Sequence, residues 1–449
     1  MSRKVFLSFL GTNNYVPCNY YMEHDPSLAI SNVKYIQEAL IRMNINELSE
    51  NDGIIFFTTA LSFKMNYKDN GQWNAATKDY SLPNIGLESA LKDLDLTTPF
   101  KNVDIKEGFS ETEIWEVFET ISNEIQQDDQ IILDITHAFR YLPMLGVVLT
   151  DFLKVVKNAT VIGLYYGAFE KLGPASEVLK MDIKERNAPI LNLLPLIELQ
   201  RWVNAVGNFV SHGIAKDLID LTAPSINPIV RQTLGKDLVA GNLKAMNSKL
   251  ADLIPALLTN RGKELMSFKW QHLSETLNTL KEAELIIKPL KQVFGIIYDK
   301  ISPLATAKQI WIESAKWCLK HNLVQQGLTQ LKEGLITYLI QIARQNTSDT
   351  FYEVSEEEAR VLISYGLVVL HKKIPKEEWK KEVMENESKF ETLIQIGTLQ
   401  PFSEINYQIT ESRNDINHSG FKTNATNAAT LKKKLEIYLA EVEKLVYKN

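Results

Sequence analysis

The sequence is short of several things that would narrow its chemistry at once. Among 449 residues there are two cysteines, Cys18 and Cys318, and seven histidines. Two thiols so far apart in the chain cannot build a zinc site by themselves, and in a reducing compartment they are expected to stay free. His24, His212, His272, His321 and His371 are scattered without metal-ligand spacing, so each is expected at an ordinary surface or core position and no metal is expected. No apolar run is long enough to cross a membrane. The run from Val5 to Leu10 is cut off by Gly11-Thr12-Asn13-Asn14 before it could serve as a signal peptide, so the expected compartment is the cytoplasm. An excess of positive charge is also missing. The net charge is −6, which argues against a broad nucleic-acid surface and leaves room for a small RNA site or a nucleotide pocket. Neither G-x-G-x-x-G nor G-x-x-x-x-G-K-[ST] marks a strand-to-helix loop, so a dinucleotide site and a P-loop nucleotidase are both disfavoured.

What is present reads as a folded protein of two or three domains, 45% hydrophobic and 23% charged. In the first half, apolar runs stopped by turn residues alternate with helical periodicity. Val5–Leu10, Gly53–Thr59, Gln130–Ile135 and Ala159–Tyr166 read as buried strands, with Val103–Ile105 as a shorter one. Leu28–Met43, Asn84–Leu94, Ser110–Gln127 and Leu142–Val156 read as helices. Ser110 and Glu113 form capping-box chemistry in the third of these. Alternating strands and helices predict a doubly wound α/β sheet of Rossmann type, with its site beyond the carboxyl ends of the strands. Beyond Gly173-Pro174 the pattern turns helical: residues 189–212, then Lys263–Phe294, Thr306–His321, Gly327–Asn346, Ser355–Val369, Lys376–Ile396 and Asn427–Tyr447. An all-α region is therefore expected to follow the sheet.

Two loops fall where the sheet should bind a ligand. Gly11, Thr12 and Asn13 follow the first strand. Thr136, His137 and Arg140 follow the third clear one, ahead of a helix that Pro143 places near Tyr141 or Leu142. A helix N-terminus with a hydroxyl, an imidazole and a guanidinium suits a phosphate or nucleotide. A plain capping loop with Arg140 paired to a carboxylate, and an ordinary turn at Gly11–Asn14, fit the same residues. A third feature is Arg413-Asn414-Asp415-Ile416-Asn417-His418, ahead of the helix stop Gly420. Arg413 offers a bidentate fork for a phosphate, and His418 an imidazole that titrates near neutrality. The spacing alone also fits a surface helix end with a solvated arginine. In the helix Gly327–Asn346 the polar Gln330, Glu333 and Tyr338 are most simply a solvated face, or one of them lines the Arg413/His418 groove.

Taken together, Leu7–Thr12 with Tyr15, Gly108–Trp115, Asp134-Ile135-Thr136-His137-Ala138-Phe139-Arg140 and Arg413-Asn414-x-x-x-His418 resemble the CRISPR-associated CARF–HEPN ribonucleases that accompany type III effector complexes. Ala138 stands where many relatives carry glycine. The resemblance implies a CARF-like nucleotide-sensing domain over residues 1–185, a helical linker over 186–212 and a helical HEPN ribonuclease domain over 213–449. It implies a homodimer. A cyclic oligoadenylate, the four-membered ring ahead of the six, would bind across both copies of Gly11, Thr12, Asn13, Thr136, His137 and Arg140. Arg413, Asn414 and His418 would then cleave single-stranded RNA without a metal, by attack of its own 2′-hydroxyl, leaving a 2′,3′-cyclic phosphate. Two other readings share these residues. One is a nucleotide-sensing adaptor without nuclease activity. The other is a sensor that also degrades its cyclic activator in the CARF site.

Overall fold

The computed structural model describes the chain except residues 1, 45–46, 138–141, 223–225, 227–232, 234–235, 285–287, 347–353, 422 and 449. Two compact units divide it, Met1–Glu198 and Leu199–Asn449.

The first unit is built on one mixed, mostly parallel sheet. Its strands are β1 (Lys4–Phe9), β2 (Cys18–Met22), β3 (Asp25–Val33), β4 (Gly53–Thr58), β7 (Phe100–Asp104), β8 (Gln130–Asp134), β9 (Thr160–Gly167) and β10 (Asn187–Asn192). They lie in the order β3-β2-β10-β9-β8-β1-β4-β7, and β5 (Gln72–Asn74) pairs with β6 (Asp79–Leu82) in a separate hairpin. From β9 to β7 every neighbouring pair is parallel. Strand alternation separates the two faces. Phe6, Ile54, Phe56 and Ile132 join one core with the helix Ile36–Asn44. Val5, Leu7, Ile55, Phe57, Ile131 and Leu133 join the other, together with Val117 and Phe118 of the helix Glu111–Glu124 and Leu149 and Leu153 of the helix Leu142–Lys157. Both strands therefore carry an unbroken apolar stretch, Val5–Leu7 in β1 and Ile131–Leu133 in β8, as strands buried on two faces must.

Several expected elements differ. The helix expected over Leu28–Met43 begins only at Ile36, because Asp25–Val33 is a strand antiparallel to β2. Asn32, in the left-handed region at φ 53°, falls within that strand, Lys34 and Tyr35 separate it from the helix, and the apolar spacing at Leu28, Ile30 and Val33 had mixed two periods into one. Residues 186–212 are not a helical linker throughout. Asn187–Asn192 is β10, parallel to β2 and antiparallel to β9, and the helix starts at Leu194. A continuous apolar run satisfies strand and helix templates alike, and here sheet neighbours decide. The expected helix Asn84–Leu94 is trimmed to Leu87–Lys92.

The second unit is helical in all the regular structure described. Lys263–Phe294 divides into Gly262–Ser267, Trp270–Glu282 and a helix opening at Leu290, and Lys376–Ile396 divides into three short pieces. Ser355 caps Glu356–Lys372 with a full capping box to Glu358. The helix Ser403–Asn417 carries the arginine–histidine motif. Ile405 and Ile409 anchor it in a core shared with the helices Val324–Asn346, Glu356–Lys372 and Ala428–Lys448.

Candidate functional site

Reading β9-β8-β1-β4-β7 in chain order, the sheet grows one way from β1 through β4 to β7 and the other way through β8 to β9. The order therefore reverses between β1 and β8, and the crevice for a ligand opens beyond their carboxyl ends. The two loops named from the sequence sit there. Gly11 lies so close to the second loop that a Cβ on it would stand 3.5 Å from the His137 carbonyl oxygen and 3.2 Å from the Tyr15 hydroxyl. The first loop is held by side chains. The Gly11 N–H donates to Tyr15 Oη at 2.7 Å, and Asn66 Nδ2 donates to the carbonyls of Gly11 and Asn13 at 2.9 Å each. Gln72 of the hairpin in turn donates to Asn66 Oδ1. Asn13 is exposed and Thr12 half-exposed.

The second loop is built on a carboxylate. Asp134, fully buried at the end of β8, accepts from Ser8 Oγ at 2.6 Å, from the Thr136 N–H at 3.0 Å and from Thr136 Oγ1 at 2.6 Å. The Thr136 hydroxyl also accepts from the Gly167 N–H at 2.8 Å. Burial raises the Asp134 carboxyl above its ordinary value, against the pull of these donors. The sequence reading offered the Thr136 hydroxyl to the ligand. In the structure it is occupied, tying β8 to the end of β9. His137 stacks on Tyr15 with ring centroids 4.1 Å apart, and burial lowers its imidazolium to about 4. It is therefore neutral at physiological pH and presents an uncharged imidazole, not a cation, to the crevice. Arg140 lies outside the described residues.

The lowered His137 value has a measurable consequence. The unfolded chain binds a proton on His137 below pH 6.5 while the folded chain does not until about pH 4. Stability from this group is complete above 6.5 and is lost as pH falls toward 4. Asp134, with its raised carboxyl, works in the opposite direction in wild type and variant alike. Thermal unfolding across that pH window should thus fall less steeply in His137→Gln than in wild type. Parallel curves for the two proteins would contradict a neutral His137 ring.

In the helical unit, Arg413 and Asn414 are half-buried and His418 is exposed. The helix ends at Asn417. Ser419 N–H bonds the Ile416 carbonyl and Gly420 N–H the Asp415 carbonyl, with Ser419 at φ 54°, a Schellman closure in which serine and not Gly420 takes the first left-handed position. His418 is the cap residue, its N–H on the Asn414 carbonyl. This end is fastened from behind: Asp415 Oδ2 accepts from the Thr426 N–H at 2.7 Å, and Ser412 Oγ meets Tyr438 Oη at 3.1 Å.

Arg413 meets a residue that the sequence had left open. Its Nη1 lies 3.5 Å from Glu333 Oε1, and the other oxygen of Glu333 takes Arg360 Nη2 at 2.5 Å. Burial, and next the Arg413 charge, lower the neighbouring Lys332 ammonium. Glu333 thus sits among positive groups and steers the Arg413 guanidinium. Gln330, expected on a solvated face, is buried, and Tyr338 is half-buried against Trp311 and Phe402. Ser8 and Asp134 lie inside motifs quoted from the sequence but had been given no role there, and Asn66 had no signal at all.

Comparison with known proteins falls on the same unit. Residues 5–170 match the family described as CRISPR system endoribonuclease Csx1, CARF domain. The chain is also 28% identical over 233 residues to the CRISPR-associated protein MJ1674 of Methanocaldococcus jannaschii. That stretch covers 51% of this chain and 32% of the relative. No helix among the described residues is long and apolar enough to cross a membrane. The matched family and the doubly wound sheet agree, and residues 5–170 are similar to the CARF domain of the CRISPR Csx1 type.

Proposed function

We propose that the chain is a single-strand-RNA endoribonuclease of type III CRISPR defence, switched on by a cyclic oligoadenylate, with the tetra-adenylate ring favoured. The sheet unit would be the sensor and the helical unit a HEPN nuclease. The observation that carries the nuclease half is the helix end itself. It places a half-buried guanidinium, oriented by Glu333, and an exposed imidazole within one helical turn and a half.

The chemistry follows from those groups. The 2′-hydroxyl of the RNA attacks the adjacent phosphorus. The new O2′–P bond closes the 2′,3′-cyclic phosphate as the P–O5′ bond breaks. Arg413 would hold the non-bridging oxygens as their charge grows. His418 would carry the proton balance at the attacking or leaving oxygen. Asn414, one turn before His418, would hold the substrate beside it. A homodimer would set two such helix ends against each other, with the ring spanning two copies of the Gly11–Asn13 and Thr136–Arg140 loops. Ring binding would then bias the nuclease arrangement. An exposed apolar face supports a partner on the sensor unit: Trp115 and Val155 are 56% and 85% exposed on the helices Glu111–Glu124 and Leu142–Lys157, which touch where Phe118 packs edge-on against Phe152.

The deciding experiment is cleavage of a fluorescent single-stranded RNA in EDTA, with no activator, with cyclic tetra-adenylate or with cyclic hexa-adenylate. Cleavage that needs the tetra-adenylate is the expected result. Ring binding without cleavage under any condition would replace the enzyme with an adaptor.

A further inference from the structure

The helical unit contains a cleft that shares Glu333 with the Arg413 contact. It has a volume of about 810 Å³ and opens between the helices Gly262–Ser267, Ile310–Lys320, Val324–Asn346 and Glu356–Lys372. Its lining includes Glu333, the residue that meets Arg413, whereas Arg413 itself does not line it. Three polar atoms among its lining residues are shut off from solvent and have no hydrogen-bond partner among the described residues. They are Gln330 Nε2, Ser314 Oγ and Asn260 Oδ1. Gln330 is 3% exposed and Ser314 is fully buried. A buried amide or hydroxyl left unpaired costs stability, and three among the residues of one cleft gain partners when a ligand enters and these side chains turn to meet it.

The character of that ligand can be read from the walls. Leu265, Met266, Ile310 and Trp311 make an apolar lining, and Trp311 closes tightly on Gly334, where a Cβ would stand 2.4 Å from its side chain. The charges of the lining cancel: Lys263 and Arg360 oppose Glu333 and Glu356, with Arg360 bonded to Glu333. A phosphate therefore gains nothing inside. The fit is to a flat, uncharged group that is apolar on its faces and carries both donors and acceptors on its edge. Gln330 Nε2 donates, Asn260 Oδ1 accepts and Ser314 Oγ does either.

We infer that this cleft is the subsite for one nucleobase of the RNA substrate, next to the phosphate held at Arg413, and that Gln330 and Ser314 read its edge. The inference rests on the ribonuclease reading. Protein sites that read single-stranded RNA take unstacked bases in this way, by apolar contact on the faces and hydrogen bonds on the edges. Gln330 and Ser314 are specificity residues here, and the cleavage chemistry remains with Arg413 and His418.

The test has two arms on the full-length protein. In the first, adenosine, guanosine, cytidine and uridine are titrated separately and binding is followed by calorimetry. One nucleoside should bind in preference, and both Gln330→Leu and Ser314→Ala should weaken it by roughly fivefold to tenfold, the value of one lost hydrogen bond. In the second, activated wild type and both variants cleave a randomised RNA pool that is then sequenced. Wild type should show a base bias at one position flanking the cut, and each variant should flatten it. Unfolding gives an internal check. Gln330→Leu removes an unpaired buried donor, so its melting temperature should equal or exceed that of wild type. No saturable nucleoside binding, together with identical cleavage patterns in all three proteins, would overturn the subsite. Failure of wild type to cleave any RNA would instead remove the nuclease reading, and the nucleoside arm would still decide the cleft.

Discussion

Arg413→Ala and His418→Ala should each reduce activated RNA cleavage by roughly 10³-fold or more while leaving cyclic-oligoadenylate binding within about twofold of wild type. The size follows from the roles proposed. A guanidinium matched to charge that grows at a transferring phosphoryl group contributes on the order of 10²–10⁵, and a positioned acid or base about 10²–10⁴. Because the two groups act on one transition state, the double variant should be little worse than either single one. Arg413→Lys should not rescue, since an ammonium lacks the planar fork. Glu333→Ala tests the orienting contact at 3.5 Å. It frees the guanidinium to adopt other rotamers, so kcat should fall by about tenfold or more while ring binding is unchanged. A His418→Ala protein that cleaves at the wild-type rate would move the active site elsewhere.

Thr136→Val should lower stability and activator response together, for a reason that lies inside the protein. The substitution keeps the side-chain shape but removes a hydroxyl that donates to Asp134 and accepts from the Gly167 N–H. Asp134 keeps its bonds from Ser8 and the Thr136 N–H, whereas Gly167 loses its side-chain acceptor next to Ile36. A buried N–H without a partner costs about 1–3 kcal/mol, which for a unit of this size lowers the melting temperature by roughly 4–8 °C at about 2 kcal/mol. The loop between β8 and the following helix loses its anchor, so ring affinity should drop about tenfold or more. Thr136→Ser retains both hydrogen bonds and should restore both properties. If Thr136→Val melted like wild type yet lost ring binding, the hydroxyl would be a direct ligand contact after all.

The sheet was legible because a strand buried on both faces is written as an unbroken apolar run. Val5–Leu10, Gly53–Thr59 and Gln130–Ile135 each carry such a run ended by turn residues, and β1, β4 and β8 lie on them. Two strands at the other end of the sheet were not legible. Asp25–Val33, at the edge, is mostly solvent-facing, and Asn187–Asn192, between β2 and β9, opens a stretch that continues as helix. Neither has a local period of its own, and only neighbours across the sheet specify them. Helix breaks such as those between Gly262–Ser267, Trp270–Glu282 and Leu290–Ala305 were missed for a related reason. Each piece presents an apolar stripe, and the turn between two pieces is set by what the stripes pack against.

By itself the sequence determined a parallel α/β sheet followed by helices, two loops at strand ends, and a helix end bearing Arg413 and His418. These depend on periodicity, turn residues and caps, which act over a few neighbouring positions. Only the tertiary structure decided how those groups are used. It brought Ser8 to Asp134 across 126 positions, occupied the Thr136 hydroxyl, laid His137 on Tyr15 and set Glu333 beside Arg413. A side chain's partners are chosen by packing between distant elements, and in a buried site those partners determine whether a hydroxyl, an imidazole or a guanidinium is structural, neutral or free to meet a ligand.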